Sequence, residues 1–347
     1  MMKIDKYIIN DKSPVFIVAE LSCNHRQDFS IAVKTIKAMK KAGADAVKVQ
    51  TFTPETITFN GDHKYFQIKQ GTIWDGTTLH KLYQEAYMPW EWQPKLKKIA
   101  ENLGLIFFST PVDETAVDFL DRMKVPAYKI GSFEIVDTPL VKYTASKGKP
   151  IIISTGIANL TDISIAVKTC RKAKNKQIAL LKCTSAYPTP FNEVNLKTIP
   201  DLKNKFKCVI GLSDHTLTTS IPTAAISLGA KIIEKHFILD KKLGGPDAEF
   251  SLSPTEFKNM VNSVREVEKA LGKVTYNLTA KMKKSREFAP SIFTTKDIKK
   301  GEALSEENIK TIRPGFGLAP RYWQDVLGKK ARHNIKRGTP LSWKLIN

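Results

Sequence analysis

What this chain lacks narrows its function early. Its four cysteines, Cys23, Cys170, Cys183 and Cys208, form no CxxC pair, which argues against both a disulfide framework and a structural zinc site. No window approaches the roughly 18 uninterrupted apolar residues of a membrane span. The opening "MMKIDKYIIND" has neither an apolar core nor a small-residue cleavage site. These absences set the expectation of a cytoplasmic protein with no membrane partner. Basic runs of five or six residues are missing, as are zinc-finger, RNP and heptad-backed basic patterns, so nucleic acid is not expected as a partner. The formal net charge of +21 then reads as scattered surface lysine whose positive potential draws in an anionic small substrate.

What is present has a clear rhythm. Short runs rich in Val and Ile recur: "VFIVAEL" (15–21), "AVKVQTF" (46–52), "LIFFSTP" (105–111), "AYKIGSF" (127–133), "PIIISTG" (150–156), "IALLKCT" (178–184), "VIGLSDH" (209–215) and "KIIEKHF" (231–237). Their length and β-branching suggest buried strands. Segments with helical spacing lie between most of them, such as "FSIAVKTIKAMKKAGA" (29–44) and "ETAVDFLDRMK" (114–124). The alternation implies βαβ units, and eight strands suit a closed TIM (β/α)8 barrel better than an open sheet. A doubly wound sheet is the second choice, weakened because no GxGxxG follows the first strand. Residues 53–89 form a long insertion after the second strand, at the end of a barrel where loops shape a substrate site. The expected division is a barrel domain over 1–272, a lysine-rich linker over 273–287 and a small, mostly β domain over 288–347.

In such a barrel the C-terminal strand ends build the active site. Every one of the eight carries polar residues, among them Glu20, Lys48, Gln50, Thr110, Lys129, Ser132, Glu134, Ser154, Ser185, Ser213, Asp214, Glu234 and Lys235. His215 and His236 close the seventh and eighth strands, and with a carboxylate such as Glu20 they make a candidate divalent-metal site with open positions. The hydroxyls of Thr110, Ser132, Ser154 and Ser213 around Lys129 offer several donors and one compact cation, which is what a phosphate needs. Taken singly each hydroxyl reads as a helix cap. Glu134 is the candidate for proton transfer, with a structural salt bridge as the alternative. Lys48, Lys129 or Lys182 as a Schiff-base lysine is a further alternative.

Ordered motifs then carry a resemblance over nearly the whole chain. "IVAELSCNH", "AGADAVKVQTFTPETIT", "FFSTPVDETAVDFL", "VPAYKIGSFEIVDTPLV", "KCTSAYPTP", "GLSDHT", "GAKIIEKHF" and "FTTKDIKKGEALSEENIKTIRPGFGL" resemble the sialic acid synthase family, in particular its pseudaminic acid branch. The resemblance implies a TIM barrel joined to a C-terminal antifreeze-like (SAF, β-clip) domain, in a domain-swapped homodimer. It implies condensation of phosphoenolpyruvate with an N-acetylated amino sugar, 2,4-diacetamido-2,4,6-trideoxy-L-altrose in that branch, with a divalent metal, Mn2+ or Mg2+. N-acetylneuraminate or legionaminate synthesis is the alternative within the family, and a basic-surface binding protein the alternative outside it. Carried over residue by residue, His215 and His236 match the metal ligands. Lys129, Thr110, Ser132, Ser154, Ser185 and Ser213 match the phosphoenolpyruvate pocket. Glu20, Lys48 and Glu134 match residues that act on the reacting groups, Gln50, Tyr187 and Asp247 match the sugar site, and Arg313 would reach in from the other protomer. Phe133, where glycine is usual in N-acetylneuraminate synthases, would offer an apolar face to a 6-deoxy sugar.

Overall fold

The alternation of apolar runs and amphipathic segments becomes a barrel in the computed structural model, which describes residues 1 to 347. Strands β1 (Met2–Ile4) and β2 (Tyr7–Ile9) pair as an antiparallel hairpin. Eight strands follow: β3 (Phe16–Glu20), β4 (Ala46–Thr51), β5 (Ile106–Pro111), β6 (Tyr128–Ile130), β7 (Ile151–Ser154), β8 (Ile178–Lys182), β9 (Val209–Asp214) and β10 (Ile232–His236). They close in sequence order, with β10 pairing in parallel to β3 from Ile232 opposite Phe16 to His236 opposite Glu20. This is the TIM-type closure expected from the sequence.

Side chains alternate along each strand, so one row faces the barrel axis and the other faces the helices. The inner row begins apolar: Phe16 and Val18, Ile106 and Phe108, Ala179 and Leu181 share one buried cluster with Met2, Ile4 and Ile9 of the hairpin. The outer row, including Ile17, Val47, Phe107, Ile153 and Ile233, packs with helix residues such as Ile36, Leu120, Val167 and Phe257. Each large apolar side chain buried this way contributes roughly 1.5–3 kcal/mol. The helices start where the sequence supplies caps. Asp28 accepts from Ser30 and Ile31 N–H ahead of Phe29–Lys41, Asp113 from Ala116 N–H ahead of Glu114–Arg122, and Ser253 forms a capping box with Glu256 ahead of Pro254–Leu271.

The chain divides into two units, Met1–Gly272 and Lys273–Asn347. In the second, β11 (Ser291–Thr294) pairs antiparallel with β12 (Ile309–Ile312) around a core that includes Ile292, Ile298, Leu304 and Leu341. Regular strand is confined to those two elements, and single bridges such as Ile298 with Ile335 supply the other pairings. The stretch read as a plain linker contains a helix, Ala280–Ser285, capped by Thr279.

Candidate active site

Where the inner row reaches the C-terminal ends of the strands it turns polar. Lys48, Gln50, Thr110, Lys129, Ser154, Ser213, Glu234 and His236 all line one cavity of about 730 Å3. At its floor two lysines interlock with carboxylates. Lys48 Nζ lies 2.5 Å from Glu20 Oε2 and 3.7 Å from Glu234 Oε1, and donates to Thr110 Oγ1 at 3.3 Å. Lys129 Nζ donates to Ser154 Oγ at 2.6 Å and lies 3.8 Å from the same Glu234 oxygen. Ser213 Oγ donates to Glu234 at 3.0 Å. Burial disfavours the Lys48 ammonium, but Glu20 and Glu234 outweigh it and raise its pKa. For Lys129 burial prevails over Glu234, and the pKa falls.

Beside the lysines sits a hydroxyl cradle that depends on two glycines. Ser132 Oγ accepts the Gly156 N–H at 3.1 Å. A Cβ on Gly156 would stand 2.1 Å from Ser185 Oγ and 2.6 Å from Ser132 Oγ, so any side chain there fills the cradle. Ser185 Oγ is buried without a partner, as a donor waiting for an anion would be. A Cβ on Gly131 would meet Glu134 Oε2 at 2.2 Å, so the bare backbone at this position makes room for that carboxyl. Burial raises the Glu134 pKa, and Lys129 and Lys48 offset this only in part.

Across the mouth, β9 and β10 bring the two imidazoles together with ring centroids 5.3 Å apart. His215 Nδ1 lies 3.2 Å from the Thr184 carbonyl, which fixes its tautomer and leaves Nε2 as the lone pair. His236 Nδ1 lies 3.4 Å from Asp247 Oδ2, so the carboxylate beside the pair is Asp247, while Glu20 is occupied by Lys48. Imidazoles whose second nitrogen faces a carbonyl or carboxylate recur in divalent-metal sites, although His236 Nδ1 makes no hydrogen bond of its own here. No group of three His, Cys, Asp or Glu converges on one point, so these two histidines could hold a cation only with oxygen ligands from water or substrate. Tyr187 packs against His215, Phe250 against both imidazoles, and each of the two meets Trp74.

Other residues singled out in the sequence fall in different places. Tyr187 lines the cavity, and Gln50 Nε2 donates at 3.0 Å to Oγ of Ser22, a lining residue that the sequence had not marked. Glu20 is fully buried behind Lys48 rather than on the cavity wall. Phe133 lines the rim and is 59% exposed. Lys182 is turned away from the cavity, donating to the Cys183 carbonyl and Thr184 Oγ1. Asp214 and Lys235, read as mouth residues, belong to the outer row, where Lys235 Nζ pairs with Asp214 Oδ2 at 2.5 Å and neither side chain reaches solvent. Strand parity, 233 and 235 against 234 and 236, was the signal that separates them from Glu234 and His236. Arg313 is exposed and follows β12 in the second unit. Trp74, Cys183 and the apolar side chains of the insertion line the cavity without having been singled out, because no periodicity marks a loop residue as site-facing. A larger cleft of about 1050 Å3 opens at the other end of the barrel, where Arg265 is tied to Asp45 and Glu268 and Asp11 to Lys203, while Lys12, Lys231 and Lys269 line it without an acidic partner.

The sequence profile of the NeuB family matches residues 35–276, and that of the SAF domain matches residues 289–347. The chain belongs to the NeuB family. Within that family it is 47% identical over 332 residues to a pseudaminic acid synthase of Campylobacter jejuni, covering 96% of each chain. It is 46% identical to the pseudaminic acid synthase of Helicobacter pylori, covering 95% of this chain and 97% of that one. Among solved NeuB-type structures, an N-acetylneuraminic acid synthetase from Leptospira borgpetersenii in complex with citrate matches with a TM-score of 0.73 and 30% identity, over 82% of this chain and 94% of that one.

Proposed function

We propose that this chain is a pseudaminic acid synthase, condensing phosphoenolpyruvate with 2,4-diacetamido-2,4,6-trideoxy-L-altrose and releasing phosphate. The observation that carries the reading is the convergence, in one cavity, of two lysines and a hydroxyl cradle beside two imidazoles whose ring centroids lie 5.3 Å apart. The 47% likeness to a pseudaminic acid synthase supports the choice of sugar.

In this reading Lys48, Lys129 and the hydroxyls of Thr110, Ser132, Ser154, Ser185 and Ser213 hold the phosphate and carboxylate of phosphoenolpyruvate. His215 and His236 would hold a divalent cation, Mn2+ or Mg2+, which when bound supplies Lewis-acid polarisation of the sugar aldehyde. C3 of phosphoenolpyruvate forms a bond to C1 of the open-chain sugar, the aldehyde oxygen takes a proton, water adds at C2 and phosphate leaves with the C2–O bond. In this reading Glu134, whose pKa burial raises, supplies that proton. Glu20 fixes Lys48 from behind, Gln50, Tyr187 and Asp247 border the sugar, and Phe133 stands at the rim.

Two parts of the proposal concern the molecule in the cell: a cytoplasmic location, and a homodimer in which Arg313 of one protomer serves the other's site. No helix of the chain is long and apolar enough to cross a membrane. The test is phosphate release from phosphoenolpyruvate with Mn2+, comparing the trideoxy sugar with N-acetylmannosamine and the legionaminate precursor. A preference for the trideoxy sugar is expected, and preference for either rival overturns the assignment.

A further inference from the structure

The cavity has one wall that the proposed chemistry does not use. Phe52, Ile57, Leu79, Leu82 and Tyr83 line it, four of them from the insertion that follows β4 or the helix Leu79–Ala86 within it. This wall is built, not incidental. The helix Pro54–Ile57 has a capping box between Thr53 and Thr56, Leu79–Ala86 is capped by Thr78, and His80 Nε2 meets Glu55 Oε1 at 3.3 Å between the two. Tyr83 packs edge-on against Phe52 at 5.5 Å, and Phe52 is 2% exposed. Phe133, by contrast, is mostly exposed at the rim.

The layout of the barrel assigns that wall an occupant. Lys129 and the hydroxyls of Ser132, Ser154, Ser185 and Ser213 take the sector from β6 to β9, Lys48 and Thr110 reach the floor from β4 and β5, and the imidazole pair sits at β9 and β10. A sugar whose C1 reacts beside the imidazoles, over phosphoenolpyruvate, has its remaining carbons directed toward the insertion above β3 to β5, where Ile57, Leu79 and Leu82 present only carbon and Tyr83 a ring with one hydroxyl, while Gln70, Thr72 and Trp74 of the same insertion line other parts of the cavity. We infer that Ile57, Leu79, Leu82 and Tyr83 form the specificity pocket for the C6 methyl end of the sugar, and that this wall, rather than Phe133, selects a 6-deoxy substrate. The inference rests on the proposed reaction and names its determinant. A hydroxymethyl in the same place would bury its hydroxyl against carbon with the Tyr83 hydroxyl as its one neighbouring partner in the pocket, which a hydrophobic pocket penalises.

The test compares the trideoxy sugar with the same diacetamido sugar bearing a hydroxymethyl at C5, in the wild type, Leu82→Gln, Leu82→Met and Phe133→Gly. For the wild type kcat/KM should favour the 6-deoxy sugar by about 10- to 100-fold, the scale of one group in an apolar pocket. Leu82→Gln should erase most of that ratio, Leu82→Met should keep it, and Phe133→Gly should leave it unchanged, all with the KM for phosphoenolpyruvate unaltered. A wild type that does not discriminate overturns the inference whether or not Leu82→Gln folds. Collapse of the ratio in Phe133→Gly with retention in Leu82→Gln also overturns it, while the proposed activity stands. Absence of turnover of either sugar by the wild type removes the functional reading itself and the inference with it.

Discussion

Replacing Gly156 by alanine tests the anion cradle with a single carbon. A Cβ there would lie 2.1 Å from Ser185 Oγ, 2.6 Å from Ser132 Oγ and 3.0 Å from Cys183 Sγ. The first two distances are shorter than real contacts, so both hydroxyls must swing away from the site. The obstacles are the tips of side chains, and Gly156 has no left-handed backbone to strain, so folding should lose only about 1 kcal/mol, a Tm shift of a few degrees. Binding should lose far more. Each hydrogen bond to a charged group contributes about 1.5–3 kcal/mol, so displacing two hydroxyls from phosphoenolpyruvate should weaken it by about 3–6 kcal/mol, or roughly 10²- to 10⁴-fold in KM. Steady-state phosphate release at varied phosphoenolpyruvate, with a melting curve on the same preparation, measures both. A variant with near-native KM for phosphoenolpyruvate would refute the cradle assignment, whatever its melting temperature.

Three further outcomes are expected. A strong chelator should abolish turnover and Mn2+ or Mg2+ should restore it, while His215→Ala and His236→Ala should bind Mn2+ weakly in equilibrium titration; full activity in chelator would refute the role given to the pair. Burial holds the His25 imidazole at about 4, against 6.5 when unperturbed. Between those pH values the unfolded chain binds the extra proton, so stability falls as pH drops below 6.5, by up to about 3 kcal/mol once below 4. Urea melts of His25→Gln should show a flatter pH dependence, and curves parallel to wild type would contradict this. At the opposite end of the barrel Arg265 donates to the Val15 carbonyl, Asp45 and Glu268. Arg265→Ala strands two half-buried carboxylates and should cost about 1–3 kcal/mol of stability with kcat unchanged, and an equal loss of kcat would mean that the two ends are coupled.

Much of this protein follows from local pattern. Eight β-branched runs separated by capped helical segments admit few arrangements once parallel pairing is required, and the barrel closes in sequence order. The polar strand ends were equally legible, because burying charge is costly and a strand tolerates it only where the barrel opens. Period-two alternation carries a distinction that the strand-end reading of Asp214 and Lys235 missed: Glu234 faces the lysines, while Lys235 faces the helices and pairs with Asp214.

Tertiary structure decided what depends on distance between strands and on loop paths. That Glu20 is occupied by Lys48 and Asp247 by His236 follows from which side chains meet across the mouth, and spacing along the chain carries no such information. The need for glycine at 131 and 156 comes from side chains that fold back over them or arrive from a neighbouring strand. The insertion shows the limit most clearly. Its apolar residues have no strand or long-helix period to announce them, and only the packing of its two short helices against each other turns Ile57, Leu79 and Leu82 toward the cavity. Sequence pattern thus determined the barrel and the chemistry at its mouth, since both follow from burial along single strands. The shape of the pocket above it was decided only by three-dimensional packing, which joins residues that no local rule connects.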